Sequence, residues 1–214
     1  MILQDEASAQ AWLAALPEWD AAARERLDQL AALLTAENRV QNLVSEASLA
    51  ALWGRHYADS AQLLAHVPRE TSSPWLDLGT GAGFPGIVIA ILRPEAEMVM
   101  VESRARRIEW LERLCDTLAL QNATVAGARL EALETREFRA ISARAFAPLP
   151  KLLELSARFS TSETVWVLPK GRSARQELQE LQGWRHMFHV EQSLTDAEAG
   201  VIVGNLQGRK GGKA

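Results

Sequence analysis

Cysteine is nearly absent: Cys115 stands alone in 214 residues. That excludes an internal disulfide and any zinc site built on several cysteines, and it fits a reducing cytoplasm. Its place in a helical stretch suits a small core residue. Long apolar runs are missing too, since none reaches the roughly 18 residues of a membrane span. Met1 to Glu6 carry two acids and no base, unlike a secretory or transit signal. A cytoplasmic protein without a membrane partner is the expectation. An excess of positive charge is also lacking, because 23 Lys and Arg face 27 Asp and Glu for a net charge of −4. This argues mildly against nucleic acid, whose phosphates favour a basic surface. The bases are nonetheless clustered: Arg104, Arg106, Arg107 and Arg113; Lys170, Arg172 and Arg175; Arg209, Lys210 and Lys213. Each cluster alone reads as a solvated face or an end, and the three together keep RNA open. The length suits one α/β domain with a smaller appendage and is too short for a two-domain dehydrogenase.

The most informative stretch is Pro74–Trp75–Leu76–Asp77–Leu78–Gly79–Thr80–Gly81–Ala82–Gly83–Phe84–Pro85–Gly86, followed by the apolar Ile87–Leu92. It reads as strand, tight loop and helix. Glycines at every second position open backbone conformations closed to other residues and leave room for a ligand against the loop. Two ligand classes compete. Gly81-x-Gly83-x-x-Gly86 fits a dinucleotide fingerprint, and Asp77-x-Gly79-x-Gly81-x-Gly83 fits the nucleoside pocket of an S-adenosylmethionine enzyme. About twenty residues past the loop the next predicted strand ends on Glu102, where an acid takes ribose hydroxyls in either case. Asp77 favours the second class, since a carboxylate at the strand tip repels a pyrophosphate and suits a cationic sulfonium. The alternative is that Asp77 only caps the loop.

Upstream, Ala7 to about Val67 is helical in pattern, broken at Pro17 and again at Asn42–Ser45. On the third of these helices Arg55, His56, Asp59 and Ser60 fall on one side, facing either a shared pocket or, as an exposed Arg55–Asp59 pair with a surface histidine, only solvent. No metal-ligand spacing occurs. Pro68 to Pro74 reads as a linker. Downstream, strands near 97–102, 123–126, 138–143 and 163–168 alternate with helices at 104–119, 149–159 and 173–182, which implies an open, doubly wound parallel sheet. Trp184–His189 and Gly200–Leu206 close it as an antiparallel hairpin, as in methyltransferase sheets. Ligands in such sheets lie at the carboxyl ends of the strands. This directs attention to Leu130–Glu131 beside an adenine, to Arg144 and Phe146 facing an acceptor, and to Lys170–Gly171. Phe146 is equally readable as core. The organisation expected is a helical cap over 1–68, a Rossmann-like domain over 69–208 and a basic, flexible tail over 209–214.

These residues resemble the bacterial small-subunit ribosomal RNA guanine-N7 methyltransferases once called glucose-inhibited division protein B. The likeness covers about 40 to 180. It rests on Asn42–Leu43, Arg55–His56 with Asp59–Ser60, the Leu76–Gly86 loop with its Phe84–Pro85–Gly86 ending, Arg93–Pro94, Ile141–Ser142–Ala143–Arg144–Ala145–Phe146–Ala147 and Lys170–Gly171. It departs at Asn38–Gln41, where the family usually has an aromatic or lysine, and at Val201–Asn205, where the family's last strand ends in basic residues.

The resemblance implies a class I S-adenosylmethionine-dependent methyltransferase fold and methyl transfer to N7 of a specific guanine in 16S rRNA, free or in an assembling small subunit. The expected cofactor residues are Asp77, Gly79, Gly81, Gly83, Phe84, Glu102, Leu130, Glu131 and Arg144; the expected RNA residues are Arg55, His56, Arg144, Phe146 and Lys170. A monomer is expected, with no metal and no general base, because guanine N7 already presents a lone pair and needs only alignment.

Overall fold

Trp75–Leu78 forms β1, and all four of its residues are buried, because a central parallel strand is covered on both faces. The computed structural model describes residues 2–211. In it β1 lies between β2 (Met98–Glu102) and β4 (Ala140–Ala143), parallel to both. β3 (Ala123–Gly127) extends the sheet beyond β2, and β5 (Val165–Gly171) beyond β4. β8 (Gly200–Arg209) runs antiparallel beside β5, and β6 (Trp184–His186) and β7 (His189–Gln192) pair with its outer edge. The resulting order is β3-β2-β1-β4-β5-β8-β6, with β7 also on β8.

The closing hairpin therefore has a broken outer strand, and the cause is local. Gly204, at φ +141°, faces the break, where a Cβ would run into the Met187 carbonyl. Only the Met187 amide keeps the ladder there, donating to Asn205 O at 2.9 Å. β8 continues through Arg209, the expected first residue of the tail, and the Arg209 guanidinium stacks over Trp184. Lys213 lies outside the described residues.

The first helices start where side chains accept the free amides. Asp5 and Ser8 form a reciprocal box at the start of α1 (Glu6–Ala14), Asp20 caps α2 (Ala21–Glu37) and Ser45 caps α3 (Glu46–Ala50). The expected long third helix is broken: α3 ends at Ala50, and Trp53–Ala58 forms a π-helical turn that leads through α4 (Asp59–Ala61) into a 3-10 segment, Gln62–His66. The turn is held from far away, because the Glu6 carboxylate accepts from the amides of Trp53 at 2.9 Å and Gly54 at 2.8 Å.

Between the strands run α5 (Gly86–Leu92), α6 (Ala105–Thr117) and α7 (Leu149–Ser156), with α8 (Ala174–Gln179) after β5. Every residue of α5 is buried, since the sheet covers one side and α2 and α4 the other. At about 1.5–3 kcal/mol for each large apolar side chain, this helix is the strongest bond between cap and sheet. Leu27, Leu30, Tyr57 and Leu63 share one cluster with Ile87, Val88 and Ile91. The opposite face of the sheet buries Leu76, Leu78, Ile141, Leu152 and Trp166.

Candidate active site

The glycine turn follows the carboxyl end of β1, and beside it a crevice is walled by the segments after β4 and β5, the cap and the last hairpin. Gly79, Gly81 and Gly83 all have positive φ, at +65°, +62° and +111°, the region that disfavours any side chain. Asp77 is fully buried below the turn. Its Oδ2 accepts from the Gly86 amide at 3.0 Å and its Oδ1 from the Ser142 hydroxyl at 2.7 Å, while Trp75 Nε1 donates to Ser142 Oγ at 3.0 Å. Burial pushes the Asp77 carboxyl above its ordinary value, against the pull of these hydrogen bonds. The expectation that Asp77 faces a cationic ligand is thus corrected: its oxygens are spent on bracing the turn.

Glu102 ends β2 and is buried. Its Oε1 accepts from the amides of Ser103 at 2.7 Å and Arg104 at 2.9 Å, while Oε2 has Arg107 Nη1 at 3.8 Å and no hydrogen bond among the described residues. One carboxylate oxygen is therefore left for a ribose hydroxyl, which fits a nucleoside cofactor. Arg107 also lies 3.5 Å from where a Cβ on Gly81 would stand, and the Phe146 ring covers Gly79. Leu130 is buried at the start of a 3-10 turn after β3, with Glu131 exposed beside it. Phe84 is buried and carries the His56 ring on its face at 4.6 Å.

Beyond the turn lies a cavity of about 670 Å³. All five residues expected to meet RNA line it: Arg55, His56, Arg144, Phe146 and Lys170. The π-helical turn separates residues that an α-helix would hold on one side. The Arg55 side chain points outward, 56% exposed and 3.6 Å from Asp196, whereas His56 is buried. Arg144 gathers the others. Its Nη1 lies 3.3 Å from both Arg55 O and Asp59 Oδ2, and its Nη2 is 3.2 Å from His56 Nδ1. A guanidinium only donates, so Nδ1 is the acceptor and the His56 proton sits on Nε2. Burial, helped by the Arg144 and Arg55 charges, pushes the imidazole down to about 3.

Three carboxylates line this cavity, and each is matched to a cation: Asp59 to Arg144, Asp196 to Arg55, and Glu177 to Lys170 at 3.0 Å. Burial alone would raise the Glu177 carboxyl, but hydrogen bonds from Ser173, Lys170 and the Leu149 amide hold it below its usual range. Lys170 also donates to Ala147 O at 2.6 Å. Thr195 donates to Asp59 Oδ1 at 2.8 Å, a partner 136 positions away that sequence spacing does not reveal. Glu177 and Asp196 are missed for the same reason: nothing near them in the chain marks them.

A parallel sheet with an antiparallel strand beside β5, a glycine turn after β1 and an acid at the tip of β2 define a class I S-adenosylmethionine-dependent methyltransferase. The family model described as rRNA small subunit methyltransferase G matches residues 23–199, and the chain belongs to that family. It is 61% identical over 186 residues to ribosomal RNA small subunit methyltransferase G of Erythrobacter litoralis, covering 86% of this chain and 89% of the relative. With the protein of the same name from Novosphingobium aromaticivorans it shares 56% over 209 residues, 96% and 90% of the two chains. Among solved structures it is similar to cofactor-bound Rv0187 from MTB, with a TM-score of 0.64 at 15% identity over 95% of this chain and 99% of that one. It is also similar to the O-methyltransferase TomG of Streptomyces achromogenes in complex with SAM, at 0.57 and 15% over 94% and 96%. These structural likenesses carry the fold.

Proposed function

We propose that the protein transfers the methyl group of S-adenosylmethionine to N7 of one guanine in small-subunit (16S) ribosomal RNA, acting in the cytoplasm as a monomer on free rRNA or an assembling small subunit. Family membership supports the substrate class, and the acceptor end of the crevice supports the atom. Every carboxylate there is paired to a cation, and His56, its free lone pair turned to Arg144, is too weak a base to take a proton near neutral pH. An exocyclic amine or a ribose hydroxyl must lose a proton on methylation, so its enzyme generally places a base at the acceptor. Guanine N7 carries an open lone pair on the base edge and needs none.

Bound S-adenosylmethionine supplies an electrophilic methyl on a sulfonium. The protein's part is alignment. Gly79–Gly83 lets the ligand approach the backbone, and Glu102 Oε2 accepts from the ribose. Phe146 swings off Gly79 to stack on the unpaired base, the usual way of holding a single-stranded nucleotide. Arg144 donates to guanine O6, beside N7 on the same edge.

The test is to incubate the protein with labelled S-adenosylmethionine and small subunits from a strain lacking its gene, and then to map label and N7-methylguanine. A single labelled guanine, cleavable at N7, is the expected result. Label at an exocyclic amine or a sugar, or only in small molecules, would overturn the reading.

A further inference from the structure

The crevice contributes no surplus positive charge, because Arg55, Arg144 and Lys170 each face a carboxylate. A polyanion therefore needs free cations elsewhere on a chain whose net charge is −4. Among the described residues Arg139, Arg175 and Lys210 are exposed and unpaired but scattered, whereas four others gather at one place. Arg39, Arg104, Arg106 and Arg129 are exposed, and none makes a side-chain hydrogen bond or ion pair among the described residues.

The fold gathers them. Glu102 and Gly127 are register partners on β2 and β3, so Arg104 and Arg129, each two residues further on, leave neighbouring strands at the same level. Arg106 lies in the first turn of α6. The Gln41 side chain donates to Arg106 O at 3.2 Å, which brings the loop carrying Arg39 to the same helix end. Strand order fixes where this cluster sits relative to the crevice. Crevice residues follow β4 and β5, the glycine turn follows β1, and the arginines follow β2 and β3. From β4 to β3 is three strand spacings, about 14 Å at ~4.8 Å each.

We infer that Arg39, Arg104, Arg106 and Arg129 form a docking surface for the sugar-phosphate backbone of RNA, across the cofactor turn from the crevice that receives the base. This rests on the rRNA reading above and adds a division of labour: unpaired arginines at β2 and β3 carry affinity, and the charge-matched crevice at β4 and β5 carries selection. Phosphate contacts position a nucleic acid without reading its sequence.

The experiment measures binding of a small-subunit rRNA fragment, and of intact small subunits from the strain lacking the gene, across a salt series. It compares the wild type with a variant carrying Arg39→Gln, Arg104→Gln, Arg106→Gln and Arg129→Gln. A control removes the same charge from exposed, paired cations: Arg24→Gln, Arg69→Gln, Arg136→Gln and Lys151→Gln. For single-stranded contacts the log–log salt slope shrinks by about 0.7 per lost phosphate, roughly 3 in all, with affinity down by at least about ten-fold at low salt. The control keeps a slope near the wild type's, and calorimetry shows S-adenosylhomocysteine binding intact in both variants. Equal slopes and affinities for the test variant and the control would overturn the inference while leaving the rRNA reading standing. A loss seen only with intact subunits would overturn it in favour of a protein contact on the particle. A wild type that binds neither RNA would remove the rRNA reading, and the inference with it.

Discussion

The glycine turn and the crevice beside it are assembled from different lengths of chain. The turn with its brace lies almost wholly within residues 77–86, joined from outside by Ser142. The crevice draws Ser48, Arg55, His56 and Asp59 from the cap, Arg144–Pro148 from the end of β4, Lys170 from β5 and Thr195, Asp196 and Ala199–Val201 from the last hairpin. The turn is held mainly by backbone conformation and one buried carboxylate, the crevice by pairs of charged side chains. A site built locally is rigid and costly to alter. A site built from distant pairs tolerates single changes and adjusts to what enters it.

The sharpest way to break this contrast is Asp77→Ala. It strands the Gly86 amide and the Ser142 hydroxyl in a fully buried place. At about 1–3 kcal/mol for each of the two unsatisfied groups, a loss of about 2–6 kcal/mol is expected in urea unfolding, together with loss of S-adenosylhomocysteine binding by calorimetry. An unchanged midpoint would mean that the glycines alone hold the turn.

His56 gives the next largest effect, and it is read against pH. Its folded value is depressed from 6.5 to about 3, so the unfolded chain binds the proton more tightly. The stability this residue contributes is complete above about 6.5 and is lost as pH falls from there towards 3, at up to about 1.4 kcal/mol per unit. NMR titration should find His56 neutral through pH 5, and Arg144→Gln should raise its value by removing a nearby cation. The single-turnover methyl-transfer rate should stay flat through neutral pH and persist in His56→Ala. A rate limb near neutrality that vanishes in that variant would identify a base and return the acceptor atom to question.

Gly79→Ala sharpens the comparison at the boundary of the two regions. The left-handed backbone there costs about 1–2 kcal/mol for a residue with a Cβ, and the new methyl would push on the Phe146 ring, 2.5 Å from its position. Adding Phe146→Ala should recover the steric part and leave the backbone part. Equal losses in both backgrounds would show that Phe146 moves aside freely. Smallest of all, Asp196→Asn removes the half-buried partner of the exposed Arg55 at 3.6 Å, and thermal unfolding should change by under about 0.5 kcal/mol. A larger loss would mean that the crevice is as rigid as the turn.

The same contrast explains which features local sequence encodes. Glycines at every second position after an apolar run leave little choice of structure, and counting to the end of the next strand reaches the buried Glu102. The alternation of strands and helices was legible for the same reason. Local sequence marks Asp77 but not its bracing role, which depends on Ser142, 65 positions on. Periodicity implies a continuous helix through Arg55 and Asp59, since no nearby residue breaks it. Glu6, 47 positions before Trp53, holds the π-helical turn, and periodicity carries no signal of that. The broken outer strand likewise turns on Gly204 lying opposite Met187, a pairing set by hairpin register.

The ties at Leu194 bear on when this protein becomes competent. Leu3 N donates to Leu194 O at 2.8 Å, Leu194 N donates to Gln62 Oε1 at 2.8 Å, and Thr195 closes on Asp59. During synthesis the cap helices leave the ribosome before the segment that fastens them to the crevice. At roughly 5–20 residues per second, the interval between Gln62 and Leu194 is on the order of ten seconds. Over that time a nascent chain holds its glycine turn without a finished acceptor wall, so competence arrives abruptly with the last hairpin.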